Sequence, residues 1–342
     1  MSASTGRARL LLATESRILV AEAPTGTGAP PAEAESSVGL DGARPTCLAV
    51  DPGHSGRAWC GTLRSGVFRT EDGGRSWRLS GLPGEHVTAL AADPATQGVV
   101  RAGTEPSALW SSFDGGGSWE KAEGLDALPS SSEWAFPPKP ETHHVRWIAC
   151  DPRRSGRMWL AIEAGALVST PDGGASWRDR TPGGPFDTHE LAIHPDRPDS
   201  LRVAAGDGYY ESADGGESWS SPMEGLGVPY LRSVAVDPGD PDVVVVSGAS
   251  RARSTYVAGH ADGRLFRRDG RRPWERVLTG WPDPPETIAP MLTAGLRPGE
   301  LWAADERGVH RSVDGGMSWE PAVVLQQAPS HLRGLAVIEV GS

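Results

Sequence analysis

The sequence predicts an all-β chain folded as one seven-bladed β-propeller over residues 1–342, closed by pairing its N- and C-terminal strands. Three observations predict it. An eight-residue turn pattern returns at spacings of tens of residues. An apolar strand precedes each copy. The last such strand, at the C-terminus, has no partners after it, whereas two strands lacking a first partner stand at the other end. Repetition of this kind sets architecture ahead of local propensity, because each unit buries its apolar face only against its neighbours.

In chain order, Leu10–Ala13 and Ile18–Ala21 read as the second and third strands of a blade lacking its first. Pro24–Ala34, rich in Gly, Pro and Ala, reads as a mobile loop before an outer strand near Ser36–Leu40. First strands follow at Thr46–Val50, Val87–Ala92, Val145–Cys150, Glu190–Ile193, Leu231–Val236 and, less regular, Met291–Leu296. The seventh, Leu332–Val337, supplies the strand missing at the N-terminus; the pairing completes the ring and removes its open edges. Along these strands Ala49, Ala91, Ala149, Ala192, Ala235, Gly295 and Ala336 alternate with Leu48, Leu90, Ile148, Leu191, Val234 and Leu335. The period of two assigns the small residues to a narrow central channel and the large ones to packing between blades.

The turn pattern is Ser/Thr-x-Asp-Gly-Gly-x-Ser-Trp, at residues 70–77, 112–119, 170–177, 212–219 and 312–319. An eroded copy at 267–274 reads Arg-Arg-Asp-Gly-Arg-Arg-Pro-Trp. The Asp accepts hydrogen bonds from nearby backbone N–H groups, the Gly pair supplies positive φ, and the Trp buries a large apolar face. Turn chemistry accounts for these Asp residues as structural. The pattern resembles the Asp-box (BNR repeat) β-propeller superfamily, whose members include sialidases, xyloglucanases, the sortilin ectodomain and a photosystem II assembly factor. The resemblance covers nearly the whole chain; it implies the fold and leaves the function open.

Composition narrows the function classes. Hydrophobic residues make up 38%, with 44 Gly and 30 Pro, as many short strands and turns require. A net charge of −11 argues against nucleic acid, since phosphate binding needs a basic face. There is no 18-residue apolar run for a transmembrane helix, and the Leu10–Leu12 run is too short for a signal-peptide core. Cys47, Cys60 and Cys150, odd in number and without Cys-x-x-Cys spacing, fit buried thiols in a reducing compartment, so a cytoplasmic protein without nucleic-acid or membrane partners is expected.

Candidate functional residues gather on the face built from interblade loops and second-to-third-strand loops, opposite the repeated turns. Of 13 Trp, three fall outside the repeat: Trp134 in the insertion Gly124–Thr142, Trp281 in another interblade loop, and Trp147 at a position otherwise held by Cys47, Ala89, Ser233 or Gly334. Such aromatics suit sugar stacking or a protein partner. First strands begin with Arg44, His86, His144, Tyr230 and His331 at one position, and Arg146, His189, Arg232 and Arg333 two residues on. Loops between second and third strands carry Glu15, Glu105, Glu163, Asp207 and Asp305. An inner ring of His and Arg beside carboxylates makes a polar funnel over the channel. Blade five expands its loop to Gly248–Gly263, with Arg251, Arg253, Tyr256, His260 and Asp262.

Three readings follow. The first is a ligand- or partner-binding ring using His86, Trp134, His144, Arg146, Trp147, His189, Arg232, Tyr256, His260 and Arg333, its ligand a small molecule, a glycan or a protein. The second is a glycosidase-like or metal-assisted hydrolase or lyase with Glu105, Glu163 or Asp207 as catalytic carboxylates. The third is a Zn or Cu site on His86, His144, His189 and His331. The sialidase resemblance implies three arginines, a Tyr–Glu pair and an Asp. Its Arg-Ile-Pro motif is absent, with Arg44-Pro45-Thr46 only a distant echo. Xyloglucanase-like chemistry implies a cleft between two propellers.

Overall fold

The computed structural model describes residues 7–24, 28–139, 141–282 and 285–339. Residues 25–27 of the expected Pro24–Ala34 loop, residue 140 of the Gly124–Thr142 insertion, and residues 283–284 after Trp281 lie outside them.

Seven antiparallel sheets form the blades of a propeller. Their first strands are Pro45–Val50, His86–Ala92, Val145–Cys150, Thr188–His194, Tyr230–Asp237, Met291–Ala294 and Leu332–Glu339, called blades one to seven. Each first strand touches the next, and the seventh touches the first, so the ring is closed. Closure follows the expected route: Leu332–Glu339 pairs antiparallel with Arg7–Thr14, in register from Ala8↔Glu339 to Ala13↔Gly334. Ile18–Pro24 and Glu35–Ser36 complete this composite blade. Leu10, Leu11 and Ala13 are buried between blade seven and its neighbours, which ties the two ends of the chain into one core.

Two expectations change. The stretch read as a loop is partly ordered: Ala32–Glu33 adds a parallel fifth strand to the outer strand Glu320–Val324 of blade six. That pairing covers an edge whose backbone N–H and C=O groups would otherwise lie open. Of the small residues assigned to the channel, Ala49, Ala149, Ala235 and Ala336 are buried in interblade clusters, while Ala192, Ala235 and Gly295 also border the central cavity, together with the larger Leu48, Leu90, Leu191, Val234 and Leu335. A first strand meets the axis with its edge, so both of its faces pack against sheets. The alternation therefore sorts a tight interblade side from a roomier one.

The repeated turns have the local geometry their residues imply. In the last copy, Asp314 accepts from Ser318 N (3.0 Å) and Ser318 Oγ (2.6 Å). The Ser312 hydroxyl donates to Asp314 (2.8 Å) and accepts from Gly316 N (2.9 Å). Gly315 and Gly316 sit at φ 68° and 86°, where a Cβ is strained. Asp72, Asp114, Asp172 and Asp214 repeat these bonds. Each turn also docks on the loop between first and second strands of its own blade, as in Gly73 N to Gly56 O at 2.8 Å. The eroded copy keeps that bond, Gly270 N to Asp242 O at 2.9 Å, which is why it still ends in a buried Trp274.

The turns also clasp neighbours. Trp59 donates to Gly115 O of the next blade (3.1 Å), and Trp159 to Gly215 O (3.0 Å). Trp302 holds the same place in blade six, but the repeated turn is absent from the blade-seven sequence, and its buried indole N–H has no partner among the described residues. Replacing Asp314 by Ala removes the acceptor for three donors in one turn. It is expected to lower unfolding free energy by about 1–2 kcal/mol, read in urea titrations, without altering ligand affinity on the opposite face.

Candidate functional site

At one position of each first strand the seven side chains Thr46, Thr88, Arg146, His189, Arg232, Met291 and Arg333 border a single cavity of about 450 Å³ at the channel mouth. Four of them are tied to neighbouring backbone. Thr46 Oγ1 donates to Val87 O (2.5 Å), Thr88 Oγ1 to Val145 O (2.7 Å), and His189 Nδ1 to Leu231 O (2.5 Å). Arg232 reaches further, donating to Ala289 O (2.6 Å) and Leu332 O (3.2 Å), and so links blades five, six and seven. Arg146 and Arg333 are held less. Arg146 has its nearest carboxylate, Glu163, at 3.7 Å, while Arg333 makes no hydrogen bond or ion pair among the described residues.

Carboxylates and imidazoles extend this collar around the mouth. His86 Nδ1 lies 3.7 Å from Glu105 and His144 Nδ1 3.8 Å from the same carboxylate, which also meets Lys139 at 3.6 Å. His144 Nε2 contacts Glu163 at 2.7 Å. Asp187 accepts from Ala164 N (3.0 Å), fixing the turn that presents Glu163, and lies 3.6 Å from His189 Nε2. Ala164 has φ 49°, so this loop is strained at the site and Asp187 helps hold it. Tyr230 Oη sits 3.3 Å from His189 Nε2. The expanded blade-five loop forms a short helix, Ala252–Tyr256, anchored by Ala289 N to Thr255 O (3.2 Å). It delivers Tyr256 onto the Arg232 guanidinium, 5.1 Å from the ring centroid. The Tyr256 hydroxyl is shielded and has no hydrogen-bond partner among the described residues.

The electrostatics follow from crowding charges out of bulk water. Burial opposes the charge on Arg232, Arg146 and Arg333 repel it, and its pKa falls to about 10. Burial, Arg146 and Arg44 likewise lower Arg333. Burial also works against the Arg146 charge, but Glu163 and Tyr256 outweigh it and raise the pKa. Burial works against His189 too, yet Tyr256 and Asp187 lift it to about 9. Glu163, despite burial, is pulled down to about 2 by Arg146 and His144. Tyr256 is lowered: burial favours the phenol, but His189, Arg146 and Arg232 favour the phenolate more. Glu190, buried beside Ser233, is pushed up to about 8, only partly offset by Arg146 and Arg232. Among the side chains that border the cavity itself, Arg146, Arg232, Arg333 and His189⁺ are cationic at pH 7 and Glu190 is protonated, while Glu163, Asp187 and Glu105 stand around it in the collar. A protein of net charge −11 holds an electropositive pocket.

Among the candidates, His86, Glu105, His144, Arg146, Trp147, Glu163, His189, Arg232, Tyr256 and Arg333 are brought to the channel mouth or its wall. Asp207 is not: it is exposed and accepts from Tyr210 of its own blade (2.8 Å), and Asp187 occupies the place expected for it. His260 is exposed in the turn after Tyr256 and away from the cavity. Trp134 is 6% exposed, donating to Ser130 Oγ (3.0 Å) beneath its loop, so the aromatic ring that this loop brings to the collar is instead Phe136, edge-on to His144 at 4.9 Å. Trp281 packs on Trp319, a repeated-turn Trp, because its loop starts from the turn side of blade five.

The four histidines expected to hold Zn or Cu do not form one group, since His331 stands apart beside Ser330 and Glu15. The tight group of ligand-type side chains among the described residues is Glu163, Asp187 and His189, within 4.8 Å of one another. His189 spends Nδ1 on a carbonyl, and His144 and Arg146 engage Glu163, so the group is built as an ion-pair network and is a poor fit for a cation.

Asp187 and Glu190 were missed by sequence reasoning. Asp187 gives no signal: it stands three residues before the expected strand Glu190–Ile193, and only the longer observed strand, Thr188–His194, brings it to the strand entrance. Glu190 does: it is a carboxyl in the row Cys47, Ala89, Trp147, Ser233, Gly334. Its raised pKa means that ionisation of the unfolded chain, from pH about 4.5 upward, costs the fold stability until Glu190 itself ionises near pH 8. Glu190→Gln is expected to raise the melting temperature at pH 8 and leave it nearly unchanged at pH 4.

No protein-family model matches the chain, and no curated protein matches it. Solved structures do. The structure titled YCF48 bound to D1 peptide is similar with TM-score 0.57 and 19% identity, covering 81% of each chain. The GH74 xyloglucanase from Xanthomonas campestris gives 0.65 and 17%, covering 96% of this chain and 56% of that one. The GH74 enzyme of Niastella koreensis gives 0.64 and 18%, covering 94% and 55%. At these identities the likeness establishes the propeller fold alone, and the chain spans little more than half the length of either GH74 enzyme.

Proposed function

We propose that the protein is a binding module that seats an anionic group of a ligand or partner at the channel mouth. One observation carries the reading: Arg146, Arg232, Arg333 and His189, from four different blades, converge on one cavity where the charge balance is positive and Arg333 is unpaired. Like charges crowded at the mouth repel, and an incoming anion relieves that repulsion, so the site gains most from a carboxylate or similar head. Among the structural neighbours one is held with a peptide and another is a xyloglucanase, so peptide and glycan ligands both fall within the proposed class. The three unpaired cysteines support a cytoplasmic setting as part of the same proposal.

Calorimetric titration with acetate, citrate and glucuronate at low salt tests it. Binding of at least one acid is expected at pH 7 and lost in Arg146→Ala/Arg333→Ala. Raising pH through about 8 ionises Glu190, and through about 9 discharges His189; each step removes one unit of positive charge, so affinity is expected to fall more than tenfold by pH about 9.5. Binding that ignores both the double variant and pH sinks the reading. A hydrolytic reading is favoured by one observation: Glu190 is pushed up and Glu163 pulled down, an acid and a carboxylate both influenced by Arg146. It requires turnover of an aryl glycoside of an acidic sugar that Glu190→Gln abolishes.

A further inference from the structure

Below the collar the channel wall turns apolar. Leu48, Leu90, Trp147, Ile193, Met291 and Leu335 border the same 450 Å³ cavity that the arginines cap. All lie on first strands at the centre of the ring, where apolar side chains are normally covered, yet five of the six, all but Leu90, retain exposed surface. Trp147 is the one aromatic in a row otherwise held by Cys47, Ala89, Glu190, Ser233 and Gly334, and it borders the cavity. Apolar walls facing confined water are unfavourable, so an apolar occupant that displaces that water is stabilised. The cavity continues past this layer to His194, Pro195 and Pro238 at the far ends of the strands, so it is elongated along the axis. Its volume falls in the range of about 300–1,000 Å³ typical of small-molecule sites.

We infer that the ligand is an amphiphilic monocarboxylate, its head on Arg146 and Arg333 and a slender apolar body between Leu48, Met291 and Leu335. This rests on the anion-binding reading and adds to it the chemistry of the rest of the ligand. A sugar acid would satisfy the collar and leave the apolar wall wet. An uncharged alkyl compound would dry the wall and leave the arginines repelling one another. A carboxylate on an alkyl or flat aryl body does both.

The test is calorimetry at pH 7 with n-alkanoates from butanoate to decanoate, kept below their micellar concentrations, with glucuronate and octanol as comparators. Affinity is expected to rise about fourfold per methylene, the increment for burying one CH₂. Octanol and glucuronate are each expected to bind at least tenfold more weakly than octanoate. Leu335→Asn is expected to flatten the chain-length series while short acids bind as before; Met291→Asn, checked by its melting temperature, repeats the test at a second wall position. Acids that bind equally whatever their chain length overturn the inference and leave the anion site standing. Octanol binding as tightly as octanoate overturns it too. If no acid binds, glucuronate included, the underlying anion reading falls with it.

Discussion

A chain ending at Ser330 is expected to lose on the order of 5 kcal/mol of stability, more than any single substitution at the channel mouth. The deletion removes the first strand of blade seven, with Leu332, Val337 and Ile338 buried at 6%, 6% and 4% exposure. Each buried side chain of this size contributes about 1.5–3 kcal/mol. It also opens two inner edges at once, along Arg7–Thr14 and at the face of Pro45–Val50 that packs against the closing strand. Urea midpoints and amide hydrogen exchange across Arg7–Thr14 report it. An unchanged midpoint with protected Arg7–Thr14 amides would mean that the ring does not depend on its last strand.

Arg232→Ala is expected to cost about 2–4 kcal/mol and to abolish anion binding together. The side chain serves Ala289 O and Leu332 O, two carbonyls on different blades, and its loss leaves both without their donor. It also removes the cation beneath Tyr256. Arg333→Ala supplies the contrast: with no hydrogen bond to lose, it is expected to change stability by no more than about 0.5 kcal/mol while weakening binding. Urea denaturation and calorimetry on the two proteins separate the roles. Equal stability losses would show that the collar is one structural unit, with no division between tether and ligand contact.

The fold was legible because its determinants are local and repeated. Asp72 and its four counterparts each fix a turn with bonds to residues within four positions, and a pattern of that range is visible in sequence. Closure was legible from what the end strands lacked. The Ala32–Glu33 crossing was not, because two residues pairing with Glu320–Val324 leave no periodicity. At the site, equivalence between blades placed Arg146, His189, Arg232 and Arg333 on one ring correctly. It misplaced Asp207, since blade four's short Gly206–Gly208 turn directs that side chain to its own Tyr210 while Asp187 takes the inward place. Trp134 and Trp281 misled for a different reason. An isolated Trp in a long loop reads the same whether it waits for a ligand or pins the loop down, and only burial distinguishes them.

Arg333 lies on the strand that closes the ring, and Arg232 is bonded across to Leu332 on that same strand. An occupant of the mouth that touches both therefore acts as a rivet through the seam. Such an occupant binds only the closed ring, so occupancy and closure are linked by mass action, and a ligand at a hundred times its dissociation constant would add about 2.7 kcal/mol to the work of opening it. The seam is then a sensor as well as a joint. Hydrogen exchange along Arg7–Thr14, remote from the collar in sequence, becomes a readout of whether the collar is filled.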